Sequence, residues 1–457
     1  MPTDAKNPDA MHFRSLHLEN VRAFASSQSL EFVDENDAVS RWNLILGENG
    51  VGKTTLMQAL AIMRPIPAFD ESGIKKSADD GPPKFSSAKL SEHENDEMIR
   101  FIRRDGTGTT TIAAVLETDQ AVRLDVSVEI IGSLKKLVDV RFHNAPYALV
   151  SEPLVIGYGA ARHVGHANLA DVAERDTTRS LFLDAIDLYD AEEIIEKLDY
   201  AAKSDPAGES GSDARRLAML KKAVASLLPG LTAEDIDVRG PRGAGLDPDR
   251  CGVHVRTPSG MTPLADLSLG YQGMFAWTVD LAWRLFNAFP RSVDPLSESA
   301  IVLIDEVDLH LHPRWQRDLR KHLLKHFPKV QFIATTHSPV TAQEALSEGG
   351  TVAVVRWEDD EAHILNHAIQ RREWRYDQLL ASELFGFGSE RSKEAEAKLY
   401  ERLVLIRTPN RSPDEEARLR KLDEFVASLP TARSPSAQSF EELMRDFAKD
   451  FPKGVER

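Results

Sequence analysis

Residues 42–63 read WNLILGENGVGKTTLMQALAIM, and this stretch decides the fold. Within it, residues 47–54 match the phosphate-loop pattern of a glycine, any four residues, and then Gly-Lys-Ser or Gly-Lys-Thr. The apolar run 44–46 predicts a short buried strand before the loop, and apolar residues at helical spacing predict a helix after it. The stretch is therefore expected to form a strand, a phosphate-binding loop and a helix.

The loop has the chemistry to hold a nucleotide. Its glycines let backbone amides surround a phosphate, and the N-terminus of the following helix adds partial positive charge. Lys53 is expected to reach the β- and γ-phosphates, and Thr54 to bind magnesium. We therefore predict a bound nucleotide phosphate with Mg²⁺, with a plain glycine-rich turn as the alternative. The predicted nucleotide-binding residues of the loop are Asn49, Gly50, Gly52, Lys53, Thr54 and Thr55.

Composition indicates a soluble globular protein. The 457 residues predict two or three lobes, with 42% hydrophobic and 28% charged residues. The single cysteine, Cys251, excludes an intrachain disulfide. The N-terminal MPTDAKNPDA lacks the layout of a signal peptide, and no apolar stretch is long enough to span a membrane, so we expect a cytoplasmic protein without a membrane partner. The net charge of −16 argues against a dedicated nucleic-acid binder, although contact through a local basic groove stays open.

The rest of the chain alternates between strand and helix signals. Alternating hydrophobicity from Met98 to Val150, beginning with IRFIRR at 99–104, predicts antiparallel hairpins. Helical spacing predicts helices over 178–202 and 213–228, joined by a flexible linker near 203–212.

Further along, residues 153–159 read as a buried strand and residues 269–286 as a long apolar helix. A strand at 300–304, a helix at 314–327 and a strand at 330–335 then follow in order, which implies parallel pairing of the two strands.

Residues 300–306 read AIVLIDE, an apolar strand that ends in two carboxylates. Open α/β sheets bind ligands at the carboxyl ends of their strands, so Asp305 is expected beside a ligand. In a nucleotide site the first carboxylate holds the magnesium shell, and the second, Glu306, polarises the attacking water. A solvated acidic turn is the alternative, and the upstream phosphate loop favours the nucleotide site.

Residues 266–273 read DLSLGYQG and place Ser268 at the start of the long apolar helix. A hydroxyl and the free amides of a helix N-terminus can hold an anion. A plain serine N-cap followed by a glycine turn is the alternative.

Four motifs occur in the order GENGVGKT, LSLGYQ, IVLIDE and TTHSP. This order resembles the ATP-binding-cassette class of ATPases, and within it the branch of the RecF, SMC and Rad50 type. The motifs cover roughly residues 12–66 and 260–340. The resemblance implies an α/β fold: a head with a central mixed or parallel sheet and a phosphate loop, an antiparallel β lobe, an inserted helical arm and a helical C-terminal region.

On this resemblance we expect a discontinuous head with three further regions. They are the head at 1–66 and 235–356, a loop-rich insertion with the antiparallel β lobe at 67–150, the helical arm at 151–234, and the helical C-terminal region at 357–457, which is open to partner docking.

The resemblance also implies roles for single residues. Lys53 and Thr54 bind phosphate and magnesium, Asp305 takes the metal, and Glu306 is the catalytic base. His337 in TTHSP matches the switch histidine that contacts the γ-phosphate.

Two further positions follow from the same resemblance. Arg22 in ENVRAF matches an early basic residue beside the nucleotide, with a solvated arginine as the alternative. Ser268, Gly270 and Gln272 belong to the signature LSLGYQ, which in such enzymes meets nucleotide only across a dimer. At least a homodimer, or a higher homo-oligomer, is therefore implied.

The sequence departs from the pattern at one position. The glutamine that usually ends the strand after the arm is not evident, and Tyr158 and Arg162 of GYGAARH stand there instead. Together with DEVDLHLHPRWQ at 305–316 and ASELFGFGSERS at 381–392, GYGAARH resembles the ATPases of Septu-type anti-phage defence systems, which also occur beside some retrons. Asp308 and the two histidines His310 and His312 have metal-ligand chemistry, but a dimer-facing turn is the favoured interpretation.

The Septu resemblance implies a separately encoded effector nuclease of the HNH type. Within 338–457 the acidic run 358–361 lies in one polar hairpin tip, and no His-Asn-His zinc pattern occurs. The predicted function is an ATP-binding and ATP-hydrolysing regulatory subunit that senses phage and controls its effector through ATP-dependent head dimerisation. The alternatives are a DNA-repair or chromosome-maintenance ATPase of the RecF type that acts on DNA, and a scaffold that binds ATP without hydrolysing it.

Overall fold

The structure is a computed structural model of the chain, which forms two compact units, residues 1–374 and 375–457. The described residues lie in both units. They are residues 10–63, 98–103, 108–133, 136–144, 153–161, 177–183, 186–204, 212–227, 231–240, 251–257, 259–309, 311–347, 349–367, 398, 401–402, 405 and 412–428.

The described chain contains both strands and α-helices. The strands are β1 (Met11–Glu19), β2 (Gln28–Glu31), β3 (Trp42–Gly47), β4 (Thr109–Thr118), β5 (Arg123–Ser133), β6 (Lys136–Asn144), β7 (Val155–Tyr158), β8 (Ile236–Val238), β9 (Val253–Thr257), β10 (Gly260–Pro263), β11 (Ala300–Ile304), β12 (Val330–Thr336), β13 (Thr351–Glu358) and β14 (Glu361–Leu365). The α-helices are α1 (Lys53–Ile62), α2 (Ala191–Ser204), α3 (Ser212–Leu227), α4 (Leu269–Ala288), α5 (Pro313–His326), α6 (Pro339–Ser347) and α7 (Pro413–Ser428).

The central sheet has six strands in the order β14-β13-β3-β12-β11-β7. Every neighbouring pair is parallel except the β13–β14 hairpin, so the sheet is mixed. Strands β11 and β12 are buried along their whole lengths, as expected of parallel strands covered on both faces. The predicted strands at 44–46, 153–159, 300–304 and 330–335 are confirmed, and so is the parallel pairing of the last two.

Parallel pairing brings the carboxyl ends of four strands to one edge of the central sheet. Strand β3 leads into the phosphate loop there, β11 ends before Asp305, β12 ends before His337, and β7 ends at Tyr158. Ligands bind at this edge in open α/β sheets. The fold therefore collects three of the four sequence motifs at one place.

A second, antiparallel sheet has five strands in the order β2-β1-β4-β5-β6. It combines strands from before and after the phosphate loop in the sequence. One hydrophobic core joins the two sheets, with Leu16 and Ile112 from the antiparallel sheet, Ile45 and Leu303 from the central sheet, and Leu56 from α1. The antiparallel sheet is therefore packed against the central sheet and α1 through one shared core.

The hairpins predicted between Met98 and Val150 are confirmed for β4, β5 and β6, but the strand predicted at 99–104 is wrong. The Phe101 N–H donates to the Met98 carbonyl at 3.1 Å, which closes a helical turn, and Ile102 forms an isolated bridge with a residue outside the named strands. Met98, Phe101 and Ile102 are all buried. These neighbouring apolar residues fill the core from a turn, so they do not alternate between two faces.

The helix predicted over 178–202 is shorter in the structure. Helix α2 begins at Ala191, and residues 179–181 form a single 3-10 turn. The segment before α2 is bonded to β7: the Ser180 hydroxyl donates to the Gly157 carbonyl at 2.6 Å. Hydroxyl and backbone groups that bond to a strand compete with helical bonding, so tertiary pairing overrides the helical spacing here.

The predicted helices over 213–228 and 269–286 are confirmed as α3 and α4. Helices α2 and α3 pack against each other, and both contact α4. A small antiparallel sheet, β10-β9-β8, lies in the same unit. Among the described helices, none combines the length and the apolar character needed to cross a membrane.

In the unit formed by residues 375–457, the described residues contain α7. The Arg418 guanidinium donates to the Glu401 carboxylate at 2.7 and 2.8 Å, and Arg402 donates to Asp423 at 2.6 Å. Ion pairs this exposed contribute little to stability. The rest of the predicted helical C-terminal region, including 381–392, lies outside the described residues.

Candidate nucleotide-binding site

The phosphate loop connects β3 to α1 through two glycines in the left-handed region of backbone space. Gly50 has a φ of 83° and Gly52 a φ of 102°, values that strain a residue with a side chain. A Cβ at Gly52 would also lie 2.9 Å from the Phe24 ring. Glycine is therefore required directly before Lys53, the first residue of α1. Asn49 and Gly50 are exposed in the loop.

Lys53 extends its ammonium group back over the loop. Its Nζ donates to the carbonyls of Gly47 at 2.9 Å and Glu48 at 2.7 Å, and the residue is buried. Burial lowers the pKa of Lys53, while the carboxylates of Asp305 and Glu306 raise it. The loop therefore holds a cation close to the two acidic residues that follow β11.

Asp305 accepts hydrogen bonds from two threonines that are distant in sequence. Thr54 Oγ1 donates to Oδ2 at 2.7 Å, and Thr335 Oγ1 donates to Oδ1 at 2.5 Å. Asp305 is buried, and its N–H donates to the Tyr158 carbonyl at 2.8 Å. The structure thus brings together Thr54 and Asp305, the two predicted metal ligands, from positions 251 residues apart.

Glu306 has a φ of 52°, in the left-handed region that residues other than glycine rarely adopt. Its N–H donates to Thr335 Oγ1 at 2.7 Å, so one hydroxyl serves both Asp305 and the backbone of Glu306. Sequence reasoning missed Thr335. The available signal was the pair of hydroxyl residues that end β12 directly before His337.

We expect Thr335→Val to destabilise the protein and to slow ATP hydrolysis. Valine keeps the β-branched shape, but it removes the donor to Asp305 and the acceptor for the Glu306 N–H. Leaving such buried groups unsatisfied costs about 1–3 kcal/mol of the free energy of unfolding. Urea denaturation and a steady-state ATPase assay would measure the two effects.

Thr341→Val is the matched control for that substitution. Thr341 is buried, and its hydroxyl has no hydrogen-bond partner among the described residues, so valine removes no bond there. If Thr335→Val proves as mild as Thr341→Val in both assays, the role assigned to Thr335 is wrong.

The oxygen atoms around Asp305 fit a magnesium ion. A threonine hydroxyl and a carboxylate oxygen, here 2.7 Å apart, are hard ligands of the kind that Mg²⁺ prefers. Within the described ranges, no group of three or more His, Cys, Asp or Glu side chains could hold a metal. Magnesium in nucleotide enzymes uses one or two carboxylates and completes its shell with phosphate oxygens and water, so a small protein donor set is what such a site requires.

His337 follows β12 and is partly buried at the same sheet edge as Asp305. Burial lowers the pKa of His337 and the ammonium of Lys53 lowers it further, against an opposite effect of Glu306. The imidazole is therefore neutral near pH 7, with one N–H to donate. A neutral donor is compatible with the γ-phosphate contact that the resemblance implies.

The turn after Glu306 is bonded to the end of β12, because the Thr336 hydroxyl donates to the Asp308 carboxylate. Of the two histidines with metal-ligand chemistry, His312 is exposed and His310 lies outside the described residues. Asp308 thus has a partner that holds the turn in place.

Arg22 is fixed beside the first turns of α1. Its Nη1 donates to Thr55 Oγ1 and to Gln58 Oε1, both at 3.2 Å, and its guanidinium lies 5.7 Å from the centre of the Phe101 ring. Burial lowers the pKa of Arg22, and the neighbouring Arg100 adds to this effect. The arginine is therefore bonded to the helix that follows the phosphate loop.

The signature residues are presented at the surface. Ser268 is the exposed N-cap residue of α4, and Leu269 beside it is 74% exposed. Gln272 Nε2 donates to the carbonyls of Ala265 and Leu267, both at 2.7 Å. Among the described residues, no hydrogen bond or ion pair joins this segment to the phosphate loop. Within one chain, the signature is bonded to its own turn.

Tyr158 stands at the end of β7, as expected, but its side chain does not replace the missing glutamine. The residue is fully buried, its hydroxyl donates to Asp280 of α4 at 2.7 Å, and its ring packs edge-on against Trp277 at 5.7 Å. Apolar packing and this buried hydrogen bond draw the side chain towards α4. Arg162 lies outside the described residues.

Comparison with known proteins gives matches to both halves of the predicted head. A family profile described as "AAA domain" matches residues 15–145, and a second, described as "AAA domain, putative AbiEii toxin, Type IV TA system", matches residues 262–342. In the solved structures, the SMC head domain from Thermotoga maritima is 16% identical with a TM-score of 0.40, and the match covers 78% of this chain and 100% of that one.

The curated relatives that match by sequence include a Septu protein and a retron ATPase. The Septu protein PtuA of Bacillus mycoides (strain KBAB4) is 26% identical over 391 residues, which are 85% of this chain and 46% of PtuA. "Retron Ec83 probable ATPase" of Escherichia coli is 38% identical over 127 residues, which are 28% of this chain and 22% of that protein. The chain thus spans less than half the length of these relatives. In its motifs and sequence it resembles the ATPases of the ATP-binding-cassette class, and among them Septu PtuA and the retron ATPases.

Proposed function

We propose that the chain binds ATP with magnesium and hydrolyses it. The observation that carries the proposal is the convergence of Thr54 and Thr335 on Asp305, with the backbone of Glu306 bonded to the same Thr335 hydroxyl. Lys53 lies buried close by. A phosphate loop, a metal-binding carboxylate and a residue that positions water are the recurring parts of phosphoryl-transfer sites.

Each residue of the site has a separate task in this proposal. The Lys53 ammonium binds the β- and γ-phosphate oxygens through charge-assisted hydrogen bonds. Thr54 and Asp305 would hold Mg²⁺, which supplies positive charge to the phosphates when bound. Glu306 accepts a proton from the attacking water, and His337 donates its N–H to the γ-phosphate as charge develops there.

The working unit in this proposal is a homodimer or a higher homo-oligomer. Ser268 and the free amides of the first turn of α4 lie at an exposed helix N-terminus, which can bind an anion. The Gln272 side chain donates hydrogen bonds to the turn before this helix. A second copy of the chain would present these groups to the nucleotide held by the first. ATP then lies between two heads, and its binding controls their association.

The relatives favour a role in anti-phage defence. One is named as a Septu protein and another as a retron ATPase. We propose that this chain is the cytoplasmic regulatory subunit of such a system, and that head closure controls a separately encoded nuclease of the HNH type. The C-terminal region, 357–457, would contribute the docking surface for that nuclease.

A phage challenge tests this role directly. Phage are expected to form fewer plaques on bacteria that carry the chain with its flanking reading frames than on bacteria without them. Lys53→Ala is expected to remove this protection. Lys203→Ala is the matched control, because Lys203 is 67% exposed on α2 and pairs with Asp199 at the surface. Protection that survives Lys53→Ala would contradict the proposed role of ATP.

A further inference from the structure

Asp280 lies in the middle of α4 and is fully buried, yet it carries a carboxylate. Its Oδ2 accepts the Tyr158 hydroxyl at 2.7 Å and Arg284 Nε at 2.6 Å, and its Oδ1 accepts the Tyr189 N–H at 3.0 Å. The Arg284 guanidinium also lies 5.1 Å from the centre of the Tyr189 ring. One carboxylate therefore bonds three segments: β7, the chain before α2, and α4 itself.

Packing alone does not account for this group. Val279, Leu281 and Ala282 beside it are buried apolar residues, and an apolar side chain at position 280 would continue the same core. A buried ion pair is often no more stable than apolar residues of similar volume, because both charges lose their hydration. The Asp280 carboxylate instead fixes the orientation of α4 relative to β7, because its hydrogen bonds require one relative placement of the strand and the helix.

Tyr158 is also bonded to the edge of the central sheet that carries the candidate nucleotide site. Its carbonyl accepts the Asp305 N–H at 2.8 Å, and β7 pairs with β11 so that Tyr158 lies opposite Ile304. Its backbone thus contacts the residue that holds the candidate metal, and its side chain contacts the helix that begins with the signature. In the proposed dimer, each nucleotide lies between the sheet edge of one copy and the signature of the other. Tyr158 contacts both of these parts within its own chain.

The length of α4 amplifies any change at this junction. Asp280 lies about 18 Å along the helix from Ser268, at ~1.5 Å per residue. A rotation of about 10° at Asp280 would therefore move Ser268 by about 3 Å. Displacements of about 1 Å in catalytic groups can lower rates by about 100-fold.

We propose that Tyr158 is a positioning residue that sets the direction of α4, and with it the place of Ser268 relative to the nucleotide bound by a second copy. This inference rests on the proposed shared ATP site. Tyr158 is bonded to its own Asp305 through the backbone alone, so its hydroxyl acts on the signature face of its subunit.

The first test is Tyr158→Phe in the full-length chain. It removes only the hydroxyl, and Asp280 keeps its bonds to Arg284 and to the Tyr189 N–H. We expect kcat for ATP hydrolysis to fall at least ~10-fold, while the Kd for ATP, measured by direct binding, stays within about twofold of the parent value because Lys53 and Thr54 are untouched.

Thr278→Val is the matched control. Thr278 is fully buried on the same helix, but its hydroxyl donates to the Met274 carbonyl within α4 and makes no bond to the sheet. Thr278→Val is expected to change kcat little. A parent-like kcat for Tyr158→Phe, or an equal fall in both variants, would overturn the proposal in favour of a simple packing role.

Mixing experiments locate the defect. Tyr158→Phe mixed with Lys53→Ala should recover hydrolysis, because one site of the heterodimer combines an intact phosphate loop with an intact signature. Tyr158→Phe mixed with Ser268→Arg should show no recovery above the low rate of Tyr158→Phe alone, because both sites then contain an altered signature face. The opposite pattern would place the defect on the phosphate-loop face and overturn the proposal.

A reference mixture separates this inference from the shared site on which it rests. Lys53→Ala and Ser268→Arg chains, with subunit exchange shown independently, should recover hydrolysis if the site is shared. Failure of that mixture would remove the shared site and the inference together. If the reference recovers and the Tyr158→Phe mixture with Lys53→Ala does not, only the role of Tyr158 is wrong.

Discussion

Lys53→Ala is expected to abolish ATP binding, and Glu306→Gln is expected to bind ATP and fail to hydrolyse it. The lysine ammonium is the buried cation of the phosphate loop, and each hydrogen bond from a charged group contributes about 1.5–3 kcal/mol. Loss of two such bonds, from Lys53 to the β- and γ-phosphate oxygens, weakens ATP binding by at least ~100-fold. Glutamine at 306 keeps the size of the side chain but cannot accept a proton from water, which costs about 10²- to 10⁴-fold in rate.

Direct ATP binding and single-turnover hydrolysis would measure these two effects separately. Lys203→Ala and Glu358→Gln serve as controls, since they remove the same charges from exposed side chains on α2 and at the end of β13. Parent-like hydrolysis by Glu306→Gln would show that another group activates the water.

The second large effect is recovery of activity on mixing two inactive chains. Lys53→Ala disables the phosphate-loop face and Ser268→Arg disables the signature face, so a heterodimer of the two contains one intact site. Each variant alone is expected to be inactive, and the mixture is expected to hydrolyse ATP. Ser268→Arg is expected to be inactive because Ser268 is exposed at the start of α4, where an arginine would fill the space that an anion needs.

Mixing Lys53→Ala with Glu306→Gln is the control for this experiment. Both substitutions affect the same face, so every site in every mixed dimer contains one of them and no recovery is expected. Recovery in this control, or its absence in the Lys53→Ala and Ser268→Arg mixture once exchange is shown, would contradict a site shared between subunits.

The sequence by itself determined the local parts of the nucleotide site. A glycine pattern specifies backbone angles that few other residues adopt, so the loop at 47–54 could be predicted before any tertiary contact was known. The fully apolar run 300–304, which is followed by two carboxylates, likewise predicted the buried parallel strand before Asp305. The strand, loop and helix positions rest on interactions between near neighbours in the chain, which is why a pattern could show them.

Only the tertiary structure decided which polar groups meet across long separations. The hydroxyl of Thr335 bonds Asp305 and Glu306 because β11 and β12 pair in one register. The side chain of Tyr158 points to α4 because a buried carboxylate lies there. Residues 179–181 leave the predicted helix because their groups bond to β7. A hydrogen bond depends on the placement of two atoms within about 3 Å, and that placement belongs to the packed fold, not to the spacing of residues along the chain.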